Sequence, residues 1–414
     1  MKTLKNDRSL LILGILFLAW TFGSFNKIAI NVAAIAISKE FGLNSSQIGL
    51  IMSSFFISYA FMSLMGGYLA DKFGSKKVVT ATILLWSIFT CFTGAVWSFT
   101  SLIAIRFICG ASEGGFPSAS SVTIAELFKK EKRARAKSFL VSSSAIGVAF
   151  GTIIVSKFTV NIGWRSAFCF FGTCGLIIAA VFFKIFKSTG HEEDKDKNKT
   201  LNKVSLKEVL KISIIWKLTI MEFSIGVFMW GMNSWMPSYW VKVRNLDMVT
   251  MGKLSSIPWI ITFVCMNFSG WILDKLMAGR EKVFLSITFA ITGIFTYLMY
   301  NADTISLALF YLTVTTIAIG VSSTAIFVIP LKYMKRESIG TVTGILNFGQ
   351  QLAGILAPSI MGYMITIFNG SYIAVFLFVI FTVAISFVIS LTIDTNKNEK
   401  NSADIKLSYS NNRR

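Results

Sequence analysis

Residues 67–77 read GYLADKFGSKK and residues 270–280 read GWILDKLMAGR. In each, a glycine precedes an aspartate by four positions and a lysine follows at once: Gly67, Asp71, Lys72 and Gly270, Asp274, Lys275. The two stretches lie 203 residues apart in a chain of 414, the offset that duplication of one folding unit leaves behind. Each closes an apolar run long enough to cross a bilayer. A glycine there lets a neighbouring helix approach closely, and the aspartate one turn later reaches the membrane surface. At that level a carboxylate accepts hydrogen bonds from a facing helix N-terminus and holds a gate shut. The spacing therefore predicts Gly67, Asp71, Lys72 and Asp274 as gating residues of a repeated membrane unit.

The rest of the chain agrees with a membrane reading. Hydrophobic residues make up 54% and charged residues only 14%, where a soluble domain carries about 25% charged. Apolar runs are expected to span the bilayer at 10–36, 48–69, 78–97, 101–126, 138–160, 164–186, 213–240, 249–272, 283–300, 305–330, 339–367 and 371–393. The first run is too long for the core of a signal peptide and lacks a small-residue cleavage site, so it is read as a retained helix.

The net charge of +20 sorts by membrane side. With the N-terminus inside, 32 of the 40 Lys and Arg residues fall on inner segments and six on outer ones: Lys39, Lys157, Arg165, Lys242, Arg244 and Lys253. The remaining two, Lys27 and Arg106, lie within helices. This asymmetry predicts a multi-pass protein of a plasma membrane with both termini cytoplasmic. It also accounts for the basic charge without nucleic acid as a partner. A composition rich in Lys, Asn, Ile and Phe points to a bacterial source.

Enzymatic chemistry finds no foothold. His191, the single histidine, sits in a polar loop, and Cys91, Cys109, Cys169, Cys174 and Cys265 fall inside apolar spans with no CxxC spacing. No metal cluster, nucleotide loop or cofactor motif is visible, so the expected driving force is a gradient rather than ATP. Residues 188–211, STGHEEDKDKNKTLNKVSLKEVLK, read as a cytoplasmic linker whose later part, with Val204, Leu206, Val209 and Leu210, suits a short amphipathic helix on the inner leaflet. The expected organisation is an N-terminal six-helix half at 1–187, a linker at 188–212, a C-terminal six-helix half at 213–393 and a cytoplasmic tail at 394–414.

GYLADKFGSKK resembles the loop between the second and third helices of the major facilitator superfamily, and the resemblance extends over nearly the whole chain. Within that superfamily, RFICGASEGGFP at 106–117, KKEKRARA at 129–136 and GWRSAF at 163–168 are similar to the anion:cation symporter family. The resemblance implies an all-α integral membrane fold of twelve helices in two pseudo-symmetric six-helix halves, normally monomeric. It also implies import of organic anions, often sugar acids, with protons rather than sodium. The glycine and proline motif of drug-proton antiporters on helix five is absent: Gly147 and Gly151 are present without a proline. Many relatives carry Asp-Arg on helix one where residues 25–27 here read Phe-Asn-Lys; Asn26 aligns with the aspartate and Lys27 with the arginine. Asn26 does not titrate, but its amide suits a substrate hydroxyl.

Charges inside a membrane are costly, roughly 2.5 to 3.5 kcal/mol each at a helix centre, so they mark function. Four stand out: Lys27, Arg106, Glu113 and Glu222. Arg106 and Glu113, seven residues apart, share one helix face about 10 Å apart along the axis. Counted from the inner ends, Glu113 lies roughly 21 Å up, Lys27 roughly 25 Å and Arg106 roughly 31 Å. If helices one and four face each other, as the resemblance implies, Lys27 neutralises Glu113 and Arg106 is left for a ligand carboxylate. Glu113 is then the expected proton carrier, with substrate competing for Lys27; a fixed structural Lys27–Glu113 pair is the alternative.

The second half gives softer signals. Glu222 either snorkels to the inner surface or acts as a second coupling carboxylate. Trp230, Trp235, Tyr239 and Trp240 around Asn233 and Pro237 line a cavity or form an interfacial belt. Ser322, Ser323, Thr324, Asn347, Gln350 and Gln351 either bind substrate hydroxyls or join helices, with Asn233, Asn347 and Gln350 the expected substrate contacts. Gly344, Gly349, Gly354 and Pro358 allow close packing or bending. The resulting expectation is a secondary transporter importing a sugar acid such as a hexuronate, aldonate or aldarate by proton symport. A proton-coupled exporter of drugs or metabolites and a proton-independent facilitator or exchanger remain as alternatives.

Overall fold

The computed structural model describes residues 2–186, 209–275, 280–333 and 336–393. Most of the expected linker, including His191, and the tail at 394–414 lie outside the described residues, as do the side chains of Asp71 and Asp274. Among the described residues the regular structure is entirely helical. Seven helices come before the linker: α1 (Lys2–Phe41), α2 (Ser45–Phe73), α3 (Ser75–Thr93), α4 (Phe99–Gly114), α5 (Phe116–Leu127), α6 (Lys130–Asn161) and α7 (Trp164–Ile185). After it come α8 (Ser213–Gly226), a π-helical segment (Val227–Met232), α9 (Asn233–Lys242), α10 (Met248–Lys275), α11 (Glu281–Tyr300), α12 (Ile305–Tyr333), α13 (Arg336–Ile367) and α14 (Ile373–Leu391). Ten of these stretches, counting Ser213–Lys242 as one, are long and apolar enough to cross a membrane. The pair α4–α5 and α13 complete the expected twelve crossings.

Two expected single helices are interrupted. The run at 101–126 is interrupted at Gly115, because Pro117 in the first turn of α5 has no N–H to donate to the preceding turn. The run at 213–240 passes through a π turn before α9, which holds Pro237 in its interior. A proline removes the hydrogen bond to the carbonyl four residues back, and a widened turn just before it accommodates that loss.

The chain forms two compact units. The first comprises Met1–Glu193, Gly231–Ile260 and Gly354–Tyr372; the second comprises Asp194–Trp230, Ile261–Ala353 and Ile373–Arg414. The division thus falls within the π segment, α10 and α13.

In the first unit α1 packs along α6, α2 along α4 and α3 along α7. Glycine makes the α2–α4 approach possible. A Cβ at Gly66 would lie 2.5 Å from the Gly115 carbonyl oxygen, and Cβ atoms at Gly110 and Gly114 would collide with the carbonyls of Phe55 and Tyr59. On α6, Gly147 and Gly151 meet Ser24 and Phe25 of α1 in the same way. A second seam joins α1 and α2 to α9 and α13. A Cβ at Gly49 would lie 2.5 Å from the Pro358 carbonyl oxygen and one at Gly354 2.7 Å from the Phe56 ring, and one at Gly362 would collide with the Ser45 carbonyl. Hydroxyl bonds Ser359–Ser53 (2.8 Å) and Ser46–Thr366 (2.9 Å) and the Trp235 Nε1 bond to the Pro358 carbonyl (3.1 Å) tie it together.

In the second unit α11 packs on α12 and α14, and α8 on α12 and α14. Buried hydroxyls join these helices: Ser322 to Thr288, Ser286 to Ser390, and Ser386 to Ser224, each at 2.7 Å. Polar groups in a membrane interior need such internal partners, and small hydroxyl side chains supply them without holding the helices apart.

Replacing Gly110 by alanine should lower the apparent melting temperature of the detergent-solubilised protein, because the new methyl group meets backbone rather than a side chain that can move. Overpacking of this kind costs about 1–3 kcal/mol. Gly344→Ala, where nothing lies within 4 Å, should hold or raise it. Equal melting of the two variants would refute the packing argument.

Candidate functional site

Lys27, Arg106 and Glu113, the three intramembrane charges expected in the first unit, converge where α1 faces α4. Lys27 Nζ lies 2.7 Å from Glu113 Oε1. Gly23, one turn earlier on α1, makes room for that carboxylate, since a Cβ there would stand 3.0 Å from Glu113 Oε1. The ammonium also sits 4.6 Å from the centre of the Tyr59 ring and 5.8 Å from that of Phe55, both on α2. A cation withdrawn from water is compensated here by a charge-assisted hydrogen bond and by aromatic faces.

Arg106 has different surroundings. Its guanidinium donates to Asn26 Oδ1 at 3.2 Å and lies 4.6 Å from the Phe55 ring centre, and the residue is 1% exposed. The arginine expected to stand open for a ligand is therefore engaged with Asn26, the residue expected to meet a substrate hydroxyl. Lys27 is the accessible cation: its side chain is 17% exposed, against 6% for Glu113. Three buried polar atoms in this cluster lack hydrogen-bond partners: Asn26 Nδ2, Arg106 Nε and Glu113 Oε2. Buried polar groups are nearly always paired, so two donors and one acceptor gathered beside a reachable ammonium suit an oxygen-rich anion.

The remaining expected residues divide between the units. Asn233 lies in the first unit, where its backbone carbonyl accepts from Asn31 Nδ2 at 3.3 Å. Trp235, Tyr239 and Trp240 are all buried. A Cβ at Gly67 would meet that of Ser118 on α5 at 3.7 Å, an ordinary contact distance, and Lys72 is exposed beside the Tyr68 and Phe73 rings.

In the second unit Glu222 is fully buried. Its Oε1 accepts from Ser323 Oγ and its Oε2 from Gln350 Nε2, each at 3.2 Å. Snorkelling is thus not what this side chain does. Gln350 reaches it because α13 comes close to α8 at two glycines: a Cβ at Gly349 would lie 2.7 Å from the Thr219 carbonyl oxygen, and one at Gly226 would lie 2.6 Å from that of Gln350. Asn347, one turn before Gln350, is exposed.

Sequence reasoning missed Phe55, Tyr59 and Gly23. The first two sit one turn apart on α2 among many apolar residues, and only the position of α2 against α4 turns them into a cation-binding floor. A glycine four residues before an intramembrane lysine is the one signal that pointed to room for a carboxylate.

The sequence model of the Major Facilitator Superfamily matches residues 11–358. The chain is 27% identical over 384 residues to a probable sulfoacetate transporter of Cupriavidus necator, covering 87% of this chain and 88% of that protein. It is 26% identical over 375 residues to the hexuronate transporter of Bacillus subtilis, covering 86% and 89%. A bacterial homologue of the human lysosomal transporter Spinster, solved in an inward-facing unoccupied conformation, shares the fold with a TM-score of 0.82 at 17% identity, covering 92% of this chain and 97% of that one.

Lys27→Met should destabilise the protein by about 3 kcal/mol, because it strands a buried carboxylate without its cation. Adding Glu113→Gln should restore most of that loss. Melting temperatures of the two single variants and the double variant measure the coupling, and simple additivity would show that the pair does not act as one.

Proposed function

Because the chain belongs to the Major Facilitator Superfamily, whose members are membrane transporters, we propose that it imports a small organic anion of the sugar-acid class, a hexuronate, aldonate or aldarate, together with a proton. The observation that carries this reading is the Lys27–Glu113 contact, with the lysine the more exposed partner and Glu113 Oε2 unpaired. An anion that takes over the Lys27 ammonium removes the charge that keeps Glu113 ionised, so substrate binding drives proton uptake by Glu113. Release of the anion returns the ammonium to the carboxylate and expels the proton. Arg106 adds positive potential behind the site, and Asn26 exchanges its bond to Arg106 for a substrate hydroxyl. The sulfoacetate and hexuronate assigned to the relatives by name are both small organic anions, which supports the substrate class.

In this reading residues 1–187 and 213–393 are the two rocking halves, joined by the linker at 188–212. Lys and Arg gather on the segments assigned to the cytoplasm, in a bacterial plasma membrane, with both termini on that side. The seam of α1 and α2 with α9 and α13 is then the closed outer gate, and Gly67, Asp71, Lys72 and Asp274 serve the inner one. The protein acts as a monomer. The bond of Asn26 to Arg106 favours a second reading: Asn26 holds no proton, so Glu113 is the one carboxylate of that cluster, which leaves room for exchange without net coupling.

Proteoliposome uptake across a panel of sugar acids, with an inward proton gradient, with that gradient collapsed and with a sodium gradient in its place, tests the proposal. Accumulation of one anion should require the proton gradient, and Glu113→Gln should lose accumulation while retaining substrate exchange. A Glu113→Gln protein that still concentrates substrate would sink the carrier role; uptake indifferent to the proton gradient in the wild type would favour exchange.

A further inference from the structure

Glu222 is a buried acid that the cycle above does not use. The structure gives it two neutral donors, Ser323 Oγ and Gln350 Nε2, and no cation within ion-pair distance among the described residues. The charged group nearest in sequence on its own helix, Lys217, donates instead to the Thr392 carbonyl at 2.9 Å. The helices packed against it offer little else that titrates. On α14 there is no titratable residue at all. On α12 the candidates are Tyr311, twelve residues before Ser323, and Lys332 and Tyr333, nine and ten beyond it. On α13 they are Arg336, Glu337 and Tyr363, each at least thirteen residues from Gln350, which is roughly 20 Å of helix.

An ionised carboxylate held among hydroxyl and amide groups, with no counter-ion, is strongly disfavoured in such a place; a neutral carboxylic acid is not. The two donors keep the ionised form reachable when the surroundings change, because each hydrogen bond to a carboxylate favours its charged state. The three side chains come from α8, α12 and α13, so any movement of α13 along its glycine contacts with α8 alters the donor set directly. We propose that Glu222 is a second proton-carrying group, housed in the second unit and independent of the Lys27–Glu113 pair. It is protonated at rest and gives up its proton when Ser323 and Gln350 are rearranged during the transport cycle. This rests on the proton-coupled reading of the preceding section and deepens it: Asn26 holds no proton in the first unit, and Glu222 supplies one in the second.

Two measurements on the full-length protein in membranes test this. Infrared spectra at neutral pH should contain the carbonyl stretch of a protonated carboxyl group that is lost in Glu222→Gln and kept in Glu113→Gln; its persistence in Glu222→Gln overturns the proposal. In proteoliposomes with the membrane potential clamped at zero, removing one coupled proton should lower the accumulation ratio sustained by a one-unit pH gradient about tenfold. Gradient-driven wild-type uptake with an unchanged ratio in Glu222→Gln overturns this proposal alone, whereas wild-type uptake that ignores the gradient overturns the proton-coupled reading and this proposal with it. Ser323→Ala keeps the carboxyl and removes one donor to its ionised form, so it serves if Glu222→Gln does not reach the membrane. The infrared band should then persist to higher pH, and an unchanged titration counts against the proposal.

Discussion

The contact between Lys27 and Glu113 organises its surroundings, because neither charge is tolerable in a membrane interior without the other. For the two to meet, α1 and α4 must come together at that level, and Gly23 must lack a side chain so that the carboxylate can reach across. Phe55 and Tyr59 must present their ring faces, which requires α2 to lie tight against α4 through Gly110 and Gly114. Arg106 brings a second positive charge into the same place with no second carboxylate to meet it. Asn26 and Phe55 give it a carbonyl oxygen and a ring instead. Among the described residues the cluster holds two cations and one anion, the imbalance on which the proposed anion binding rests.

The second unit handles an intramembrane charge differently. Its acid accepts from a hydroxyl and an amide, and serine and threonine pairs join the helices around it. One unit thus pairs its acid with a lysine, and the other, in the proposed reading, keeps its acid neutral. In the proposed cycle the two arrangements respond to different events: the first to a competing ligand, the second to displacement of its donors.

Much of the architecture was legible in the sequence because hydrophobic length and charge asymmetry are local properties. Twelve spans, the repeated GxxxD-Lys segments and the four intramembrane charges all follow from them. The depth count put Lys27 between Arg106 and Glu113, since rise per residue is nearly constant in a helix. What escaped was whatever depends on which helix faces which. The bond between Asn26 and Arg106 joins residues 80 positions apart, and Ser323 and Gln350 were each visible as polar residues without any sign that they converge on Glu222. The break at Gly115 and the π turn before α9 were hidden for another reason: hydropathy averages over a window wider than the single residues, Pro117 and Pro237, around which they form.

The seam of α1 and α2 against α9 and α13 is built from hydroxyl pairs, carbonyl contacts and glycine faces, and none of these contacts among the described residues is ionic. If this seam is the outer gate, as proposed, parting these contacts separates no ion pair. Dissolved electrolyte screens long-range charge within about 10 Å at 0.1 M. In the proposed cycle it therefore weakens the attraction between an anion and Lys27, while uncharged contacts such as those of the seam are almost indifferent to ionic strength.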